Sequence, residues 1–284
     1  MGVMVSAVAN GPKTVALYSE KTAEIKTLKI GPWIKDRILL VDLGFYKTHM
    51  FARVEENGGY FVSRIKKSMD PILVSVEEGL SKTKSKEFAG KTVSECIKQL
   101  SGKDLDAVVK IKFKRRAYKG RQKQDEMIVR LVAVYNDEDK KYHIYITNIQ
   151  KDILNARDIA NLYGARWEIE LLFKELKSKY ALDVLETKNV QVIEALIWTA
   201  ILTLIVSRRI YYLVRNSITQ PEKMARYTQL RWSTIFTENA SDLLTVILHI
   251  CGIQRIFETI MSVFESQALD PHVNRERFRD EWFE

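Results

Sequence analysis

Residues 37–42, Arg-Ile-Leu-Leu-Val-Asp, limit the fold more tightly than any other stretch. Four aliphatic side chains in a row are too few for a helix. They do not alternate with polar ones, so the run reads as a strand buried on both faces. Such a strand needs a layer of structure above and below it. The next residues, Leu-Gly-Phe-Tyr-Lys, turn the chain; Thr-His-Met-Phe-Ala-Arg-Val-Glu-Glu-Asn then has helical spacing and is closed by Gly58-Gly59. A second strand, Tyr-Phe-Val-Ser-Arg-Ile-Lys, follows at 60–66. Strand, helix and strand in close succession predict an α/β fold.

The rest of the chain fits around that piece. Before it, Gly-Val-Met-Val-Ser-Ala-Val-Ala and Thr-Val-Ala-Leu-Tyr-Ser-Glu, separated by Asn10-Gly11-Pro12, predict a hairpin. After it comes a polar, Lys- and Ser-rich loop near 81–91, then two strands, Ala-Val-Val-Lys-Ile-Lys-Phe-Lys and Met-Ile-Val-Arg-Leu-Val-Ala-Val-Tyr. Another strand at 142–149 leads to a long helix over about 156–179, with Asn155 as its cap and Asp158 in its first turn. A second helix covers about 189–214, and the tail reads as helices broken near Pro221 and Pro271. The expected organisation is a first part of the core at 1–66, a β-rich basic insertion at 67–140, a second part of the core at 141–215 and a helical C-terminal region at 216–284.

Composition narrows the class. The 284 residues suffice for one large domain or two smaller ones, and 46% apolar with 29% charged residues suits a soluble globular protein. A net charge of +9 favours a polyanionic partner, although a basic soluble protein without one has the same count. Cys96 and Cys251 lie far apart, which excludes a disulfide framework, argues against zinc and fits a reducing cytoplasm. His49, His143, His249 and His272 are scattered and read as structural or surface groups. The N-terminus lacks the basic start and apolar core of a signal peptide. The apolar run at 195–207 is thirteen residues, short of a membrane span and followed by Arg208-Arg209, so a buried core helix and no membrane partner are expected.

The chemistry concentrates at 163–177. Taken as one helix, Tyr163, Arg166, Glu170 and Lys177 fall within roughly 60° of one another, with Lys174 and Trp167 close by. Leu162, Ala165, Ile169, Leu172 and Leu176 gather on the other side, while Glu168 and Glu175 point elsewhere as ordinary solvated charges. Two readings stand: an amphipathic surface helix with ion pairs, or a carboxylate that holds a metal beside cations that hold phosphates. Asp42, at the carboxyl end of the apolar strand, is a turn residue when taken alone. With Glu170 it makes two carboxylates able to share a hard cation such as Mg²⁺. Two such ions can activate a hydroxyl and stabilise the leaving oxygen in phosphodiester transfer.

Residues 110–123 carry eight Lys or Arg and no acid. On a strand, Lys110, Lys112 and Lys114 share one face and Ile111 and Phe113 the other, with Arg115 and Arg116 following. The charged face could track a phosphate backbone; the alternative is a solvated edge strand protected by lysines.

Tyr163, Arg166, Glu170 and Lys177, separated by two, three and six residues, reproduce the Tyr-Arg-Glu-Lys signature, and the chain resembles insertion-sequence-four-type DDE transposases from about residue 3 to about 215. The stretch from Ile38 to Lys66 is similar to the region around that family's second catalytic Asp. The resemblance implies an RNase H-like core with a β-rich insertion, two Mg²⁺ ions, double-stranded DNA as element ends and target, a homodimer on paired ends and a cytoplasmic, nucleoid-associated location. It implies Asp42 and Glu170 as catalytic, metal-binding acids, and Tyr163, Arg166 and Lys177 as DNA contacts; Lys174, Lys110, Lys112, Lys114, Arg115 and Arg116 extend the DNA-binding set. One feature departs from the pattern. The family has a first Asp on the opening strand of the core, yet nothing before Glu20 is acidic here and Asp36 enters the same strand as Asp42. The opening strand is expected to be missing, which would bare a sheet edge. The polypeptide alone is expected to be impaired in catalysis, and a non-catalytic DNA-binding remnant or regulator is the alternative.

Overall fold

In the computed structural model of the chain, the described residues are 2–6, 11–18, 21–22, 26–79, 81–115, 123–184, 186–218, 227–242 and 253–268. Numbered along the chain, the strands are β1 (Gly2–Ser6), β2 (Gly11–Ala16), β3 (Ile38–Val41), β4 (Tyr60–Arg64), β5 (Ile72–Glu78), β6 (Leu105–Lys114), β7 (Gln124–Asn136) and β8 (Lys141–Thr147). The helices are α1 (Thr48–Glu56), α2 (Lys82–Phe88), α3 (Val93–Ile97), α4 (Ala156–Gly164), α5 (Trp167–Lys179), α6 (Val190–Asn216), α7 (Gln229–Glu238) and α8 (Ile253–Gln267). The chain divides into two compact units, Tyr18–Arg166 and Met1–Leu17 with Trp167–Glu284. The mixed sheet and the helical C-terminal region make the fold α/β, as an RNase H-like domain requires.

The first unit is built on a six-stranded sheet in the order β3-β4-β8-β7-β6-β5. β3 and β4 run parallel, with Val41 beside Ser63, and the other neighbours are antiparallel. The sheet has two apolar faces because side chains alternate along each strand. Phe61, Val109, Leu131 and Ile146 point into one core with Met50, Phe51 and Val54 of α1 and with Phe88, Val93, Cys96 and Leu100. Phe51 stacks on Phe61 at 4.5 Å between ring centroids. Val62, Val132 and Tyr145 alternate with these and are buried on the face where α4 packs. Gly58 takes φ +70° after α1, and a Cβ on Gly59 would come within 2.7 Å of the Ile34 side chain, so the Gly-Gly pair both ends the helix and lets β4 start tightly.

Two expectations change in this unit. The polar stretch near 81–91 is not a plain loop: α2 forms there, anchored by Phe88, whose side chain is fully buried. After it, a capping box between Thr92 and Glu95 starts α3. Nor is β6 an edge strand, since it lies between β5 and β7. Its lysines sit on a sheet face, not on a guarded edge. The buried Arg130 of β7 pairs with Asp106 of β6 at 2.7 Å and donates to the carbonyls of Ile149 and Leu154, which fastens the turn before α4 to the sheet.

The expected helix over 156–179 is two helices. Asn155 caps α4 as predicted, accepting from the Asp158 amide at 2.9 Å. At the other end, Ala165 N donates to Leu162 O and Arg166 N to Tyr163 O, which tightens the last turn, and α5 begins at Trp167. Gly164 lowers the helical preference at this point. Arg166 therefore occupies the junction and not a mid-helix position.

In the second unit, β1 and β2 form the predicted antiparallel hairpin; Asn10 of its turn lies outside the described residues. Leu172 and Leu176 of α5 pack on Ala200 and Leu204 of α6, with Val3 and Val5 of β1 against them. A second cluster joins Tyr211 and Val214 of α6, Trp232, Ile235 and Phe236 of α7, and Phe264 of α8. The run at 195–207, expected as a buried core helix, belongs to a helix of 27 residues whose most apolar window is 22% buried and which is long and apolar enough to cross a membrane. Asn189 caps it, and it runs on past Arg208-Arg209, where the buried side of the helix packs on the neighbouring helices. Its buried stripe holds Ala200, Leu204, Ser207, Arg208, Tyr211 and Arg215, and Leu202, Val206 and Leu213 are exposed. Pro221 and Pro271 lie outside the described residues.

Candidate active site

Asp42 follows the last residue of β3 with extended backbone (φ −71°, ψ 155°) and precedes a single 3-10 turn, Leu43–Phe45. A strand end that turns at once holds its side chain outward, and 54% of the Asp42 side chain is exposed. Two side chains from the end of α4 reach the same place. Tyr163 Oη donates to the Val41 carbonyl at 3.3 Å. Arg166 places Nη1 3.8 Å from Asp42 Oδ1. Its guanidinium also lies 5.8 Å from the centre of the Tyr163 ring, a cation–π contact. Tyr163 in turn meets Tyr145 of β8 at 5.3 Å.

The electrostatics follow from this packing. Burial pushes the Tyr163 hydroxyl above its ordinary pKa; Arg166 and Arg64 pull it back, and the Asp42 carboxylate adds to the rise. The hydroxyl is thus a protonated donor at neutral pH. Tyr145 shifts the same way, with burial first and Arg64 opposing it. Arg64 was not among the residues singled out from sequence. It follows Ser63, the register partner of Val41 in the parallel pair, and so belongs to the same sheet end as Asp42. The signal was the basic close of the strand at 60–66, but its meaning depends on the β3–β4 pairing. Together these groups offer an exposed carboxylate beside the Arg166 guanidinium, a setting suited to a phosphate and a hard cation.

The remaining predicted residues lie on other elements. Glu170, Lys174 and Lys177 lie on α5 at spacings of four and three, on one stripe of that helix with the exposed Trp167. Lys110, Lys112 and Lys114 share a face of β6, opposite the buried Val109 and Ile111, as expected. Lys110 Nζ pairs with Glu126 at 3.0 Å. β6 lies four strands from β3, about 19 Å at about 4.8 Å per strand, so the basic strand is not part of the Asp42 cluster. Arg115 pairs with Glu56 at 2.6 Å and with Asp125. Arg116 lies outside the described residues. Among the described residues, no group of three or more His, Cys, Asp or Glu side chains could hold a metal ion. Glu175, expected as a solvated charge, is instead buried and paired with Arg208, because a partner 33 residues away in α6 meets it.

Residues 11–206 match a family model described as a transposase DDE domain. The transposase for insertion sequence element IS1151 of Clostridium perfringens is 22% identical over 231 residues, 70% of this chain and 47% of that protein. The putative transposase InsL for insertion sequence element IS186A of Escherichia coli strain K12 is 34% identical over 73 residues, 26% of this chain and 20% of its own length. The transposase for insertion sequence element IS231F of Bacillus thuringiensis subsp. israelensis is 20% identical over 205 residues, 64% of this chain and 43% of that protein. The chain spans at most about half the length of these curated relatives.

Proposed function

The chain belongs to the transposase DDE domain family, and from that premise we propose that it is the catalytic domain of a DNA transposase, working on double-stranded DNA at element ends and target. The observation that carries this reading is the meeting of Tyr163 and Arg166 with the strand end that bears Asp42. These are two members of the spaced signature and the acid it should serve. The other two, Glu170 and Lys177, share a stripe of α5.

Asp42 and Glu170 are the acids we assign to catalysis and to metal. Two hard oxygen donors suit Mg²⁺, which takes one or two carboxylates and fills its remaining positions with water and phosphate oxygens. Bound there, divalent cations would neutralise charge at the scissile phosphate and sharpen the attacking oxygen. The rest is the work of the chain. Arg166 balances Asp42 and can engage a phosphate with two parallel hydrogen bonds. Tyr163, fixed by the Val41 carbonyl and Tyr145, holds that guanidinium over its ring. Lys174 and Lys177 add positive charge along the DNA beside Glu170. Lys110, Lys112 and Lys114 supply a second, sequence-independent hold on the backbone. By analogy with the family we also propose a homodimer on paired ends and a nucleoid-associated location.

Neither β1 nor β2 carries an acid, so this chain offers two carboxylates where the family uses three. We therefore propose impaired cleavage by this polypeptide alone, with DNA binding retained; a non-catalytic remnant or regulator is the second reading. The test is strand nicking of element-end DNA with Mg²⁺ or Mn²⁺, alongside DNA retention. The expected result is retention with little nicking. Robust nicking abolished by Asp42→Ala would overturn the impairment and leave the transposase reading standing. Absence of DNA retention would overturn both readings.

A further inference from the structure

Glu175 lies five residues beyond Glu170 on α5, which turns it about 140° around the helix axis at about 100° per residue. Its side chain is 2% exposed, and its Oε2 accepts from Nη2 of Arg208 on α6 at 2.8 Å, with Arg208 5% exposed. Leu172 and Leu176 pack against Ala200 and Leu204 around it, with Tyr180 against the same cluster and close to the Glu175 carboxylate. Beside Arg208, Ser207 accepts from Trp232 Nε1 of α7 through its carbonyl at 2.9 Å and its hydroxyl at 3.0 Å. The same turn of α6 is thus tied to both α5 and α7.

Taking two charges out of water costs about as much as their attraction returns, and an apolar pair of equal volume would hold the helices as well or better. What the aliphatic contacts lack is direction. Leucines packed on Ala and Leu tolerate a roll of the helix; a guanidinium hydrogen-bonded to a carboxylate does not. We propose that the buried Glu175–Arg208 pair is a positioning device that sets the rotation of α5 on α6 and so fixes where Glu170, Lys174 and Lys177 point. The inference rests on the reading of Glu170 as an active-site acid, whereas the control of rotation does not. A Glu carboxylate rides roughly 6 Å from the helix axis, so a roll of about 20° moves it by about 2 Å. A misplacement of about 1 Å can cost a hundredfold in rate. Glu175 and Arg208 act through Glu170 and touch no substrate.

The experiment is a spin-label distance measurement on the full chain with Cys96→Ala and Cys251→Ala. Nitroxides are placed at the exposed positions Lys174→Cys on α5 and Glu194→Cys on α6. The parent should give one narrow distance distribution. The double variant Glu175→Leu with Arg208→Met should melt no lower than the parent, yet show a distribution broadened or displaced by about 2 Å or more. It should also bind Mn²⁺ at least tenfold more weakly, as Glu170→Gln should. Should the double variant fail to fold, a second apolar pairing, Glu175→Met with Arg208→Leu, which likewise removes both donor and acceptor, is read the same way. An unchanged distribution overturns the positioning role whatever the DNA chemistry does. A changed distribution with Mn²⁺ binding insensitive to Glu170→Gln supports the rotation device and overturns the active-site role of Glu170.

Discussion

Arg166 Nη1 stands 3.8 Å from Asp42 Oδ1, joining the junction after α4 to the end of β3. Asp42 keeps more than half of its side chain in solvent, so the pair adds about 1 kcal/mol or less to stability. Arg166→Ala should therefore lower the melting temperature by only about 2–4 °C. DNA retention or nicking should fall at least about tenfold if Arg166 makes a charge-assisted hydrogen bond to phosphate, worth more than about 1.4 kcal/mol. Melting curves and retention assays run in parallel check this; a loss of stability with DNA retention unchanged would assign the pair to the fold.

The Tyr46 hydroxyl is buried without a hydrogen-bond partner among the described residues, and burial pushes its pKa up to about 12. Its folded pKa thus exceeds the ordinary value near 10. Its titration therefore leaves stability unchanged below about pH 10 and lowers it as pH rises from about 10 through about 12, where the unfolded chain ionises and the folded one resists. Tyr145 and Tyr163 shift in the same direction. Alkaline melting should therefore show falling stability above about pH 10. Tyr46→Phe should flatten that limb and be neutral or stabilising by about 1 kcal/mol at neutral pH, since it removes an unsatisfied hydroxyl. A destabilised Tyr46→Phe protein would mean that the hydroxyl has a partner after all.

Lys112 and Lys114 are exposed on β6, while Arg115 is engaged by Glu56 and Asp125. Charge reversal at the two lysines should leave stability within about 0.5 kcal/mol and weaken DNA retention across all sequences. The slope of log affinity against log salt should become shallower by about 0.9 for each phosphate that the variant no longer neutralises. Arg115→Ala should instead act mainly on stability. Equal salt slopes in parent and variant would remove β6 from the DNA interface.

Iron(II) in place of Mg²⁺, with ascorbate and peroxide, should cut the polypeptide near residues 42 and 170 together, because hydroxyl radicals act within a few ångströms of the bound metal. Asp42→Asn and Glu170→Gln should each suppress both cuts. Fragments mapping to only one of the two positions would mean that the carboxylates do not share a cation.

Much of this was legible locally. The strand ending in Asp42, the Gly58-Gly59 stop, the alternation of Lys110 to Lys114 and the cap at Asn155 are set by neighbours within a few residues; that β3 is an edge strand with Ile38 exposed, and not buried on both faces as its apolar run predicts, depends on the sheet order. The break at Ala165-Arg166 was not, because the residues before and after it continue a single helical period, and the break shows only in which carbonyls the last amides choose. Arg64 escaped notice for a related reason: its place at the same sheet end as Asp42 depends on which strand β4 pairs with.

By itself, the sequence determined the α/β class, the order of most elements, the family and the identity of the candidate acids, since these depend on period, caps and spacing along the chain. Only the tertiary structure decided that Tyr163 and Arg166 close on the strand end of Asp42, that β6 lies inside the sheet, and that Glu175 is buried against Arg208. Each of those joins residues far apart in the chain, and the free energy that selects them comes from surfaces that exist only once the sheet and the helices have formed.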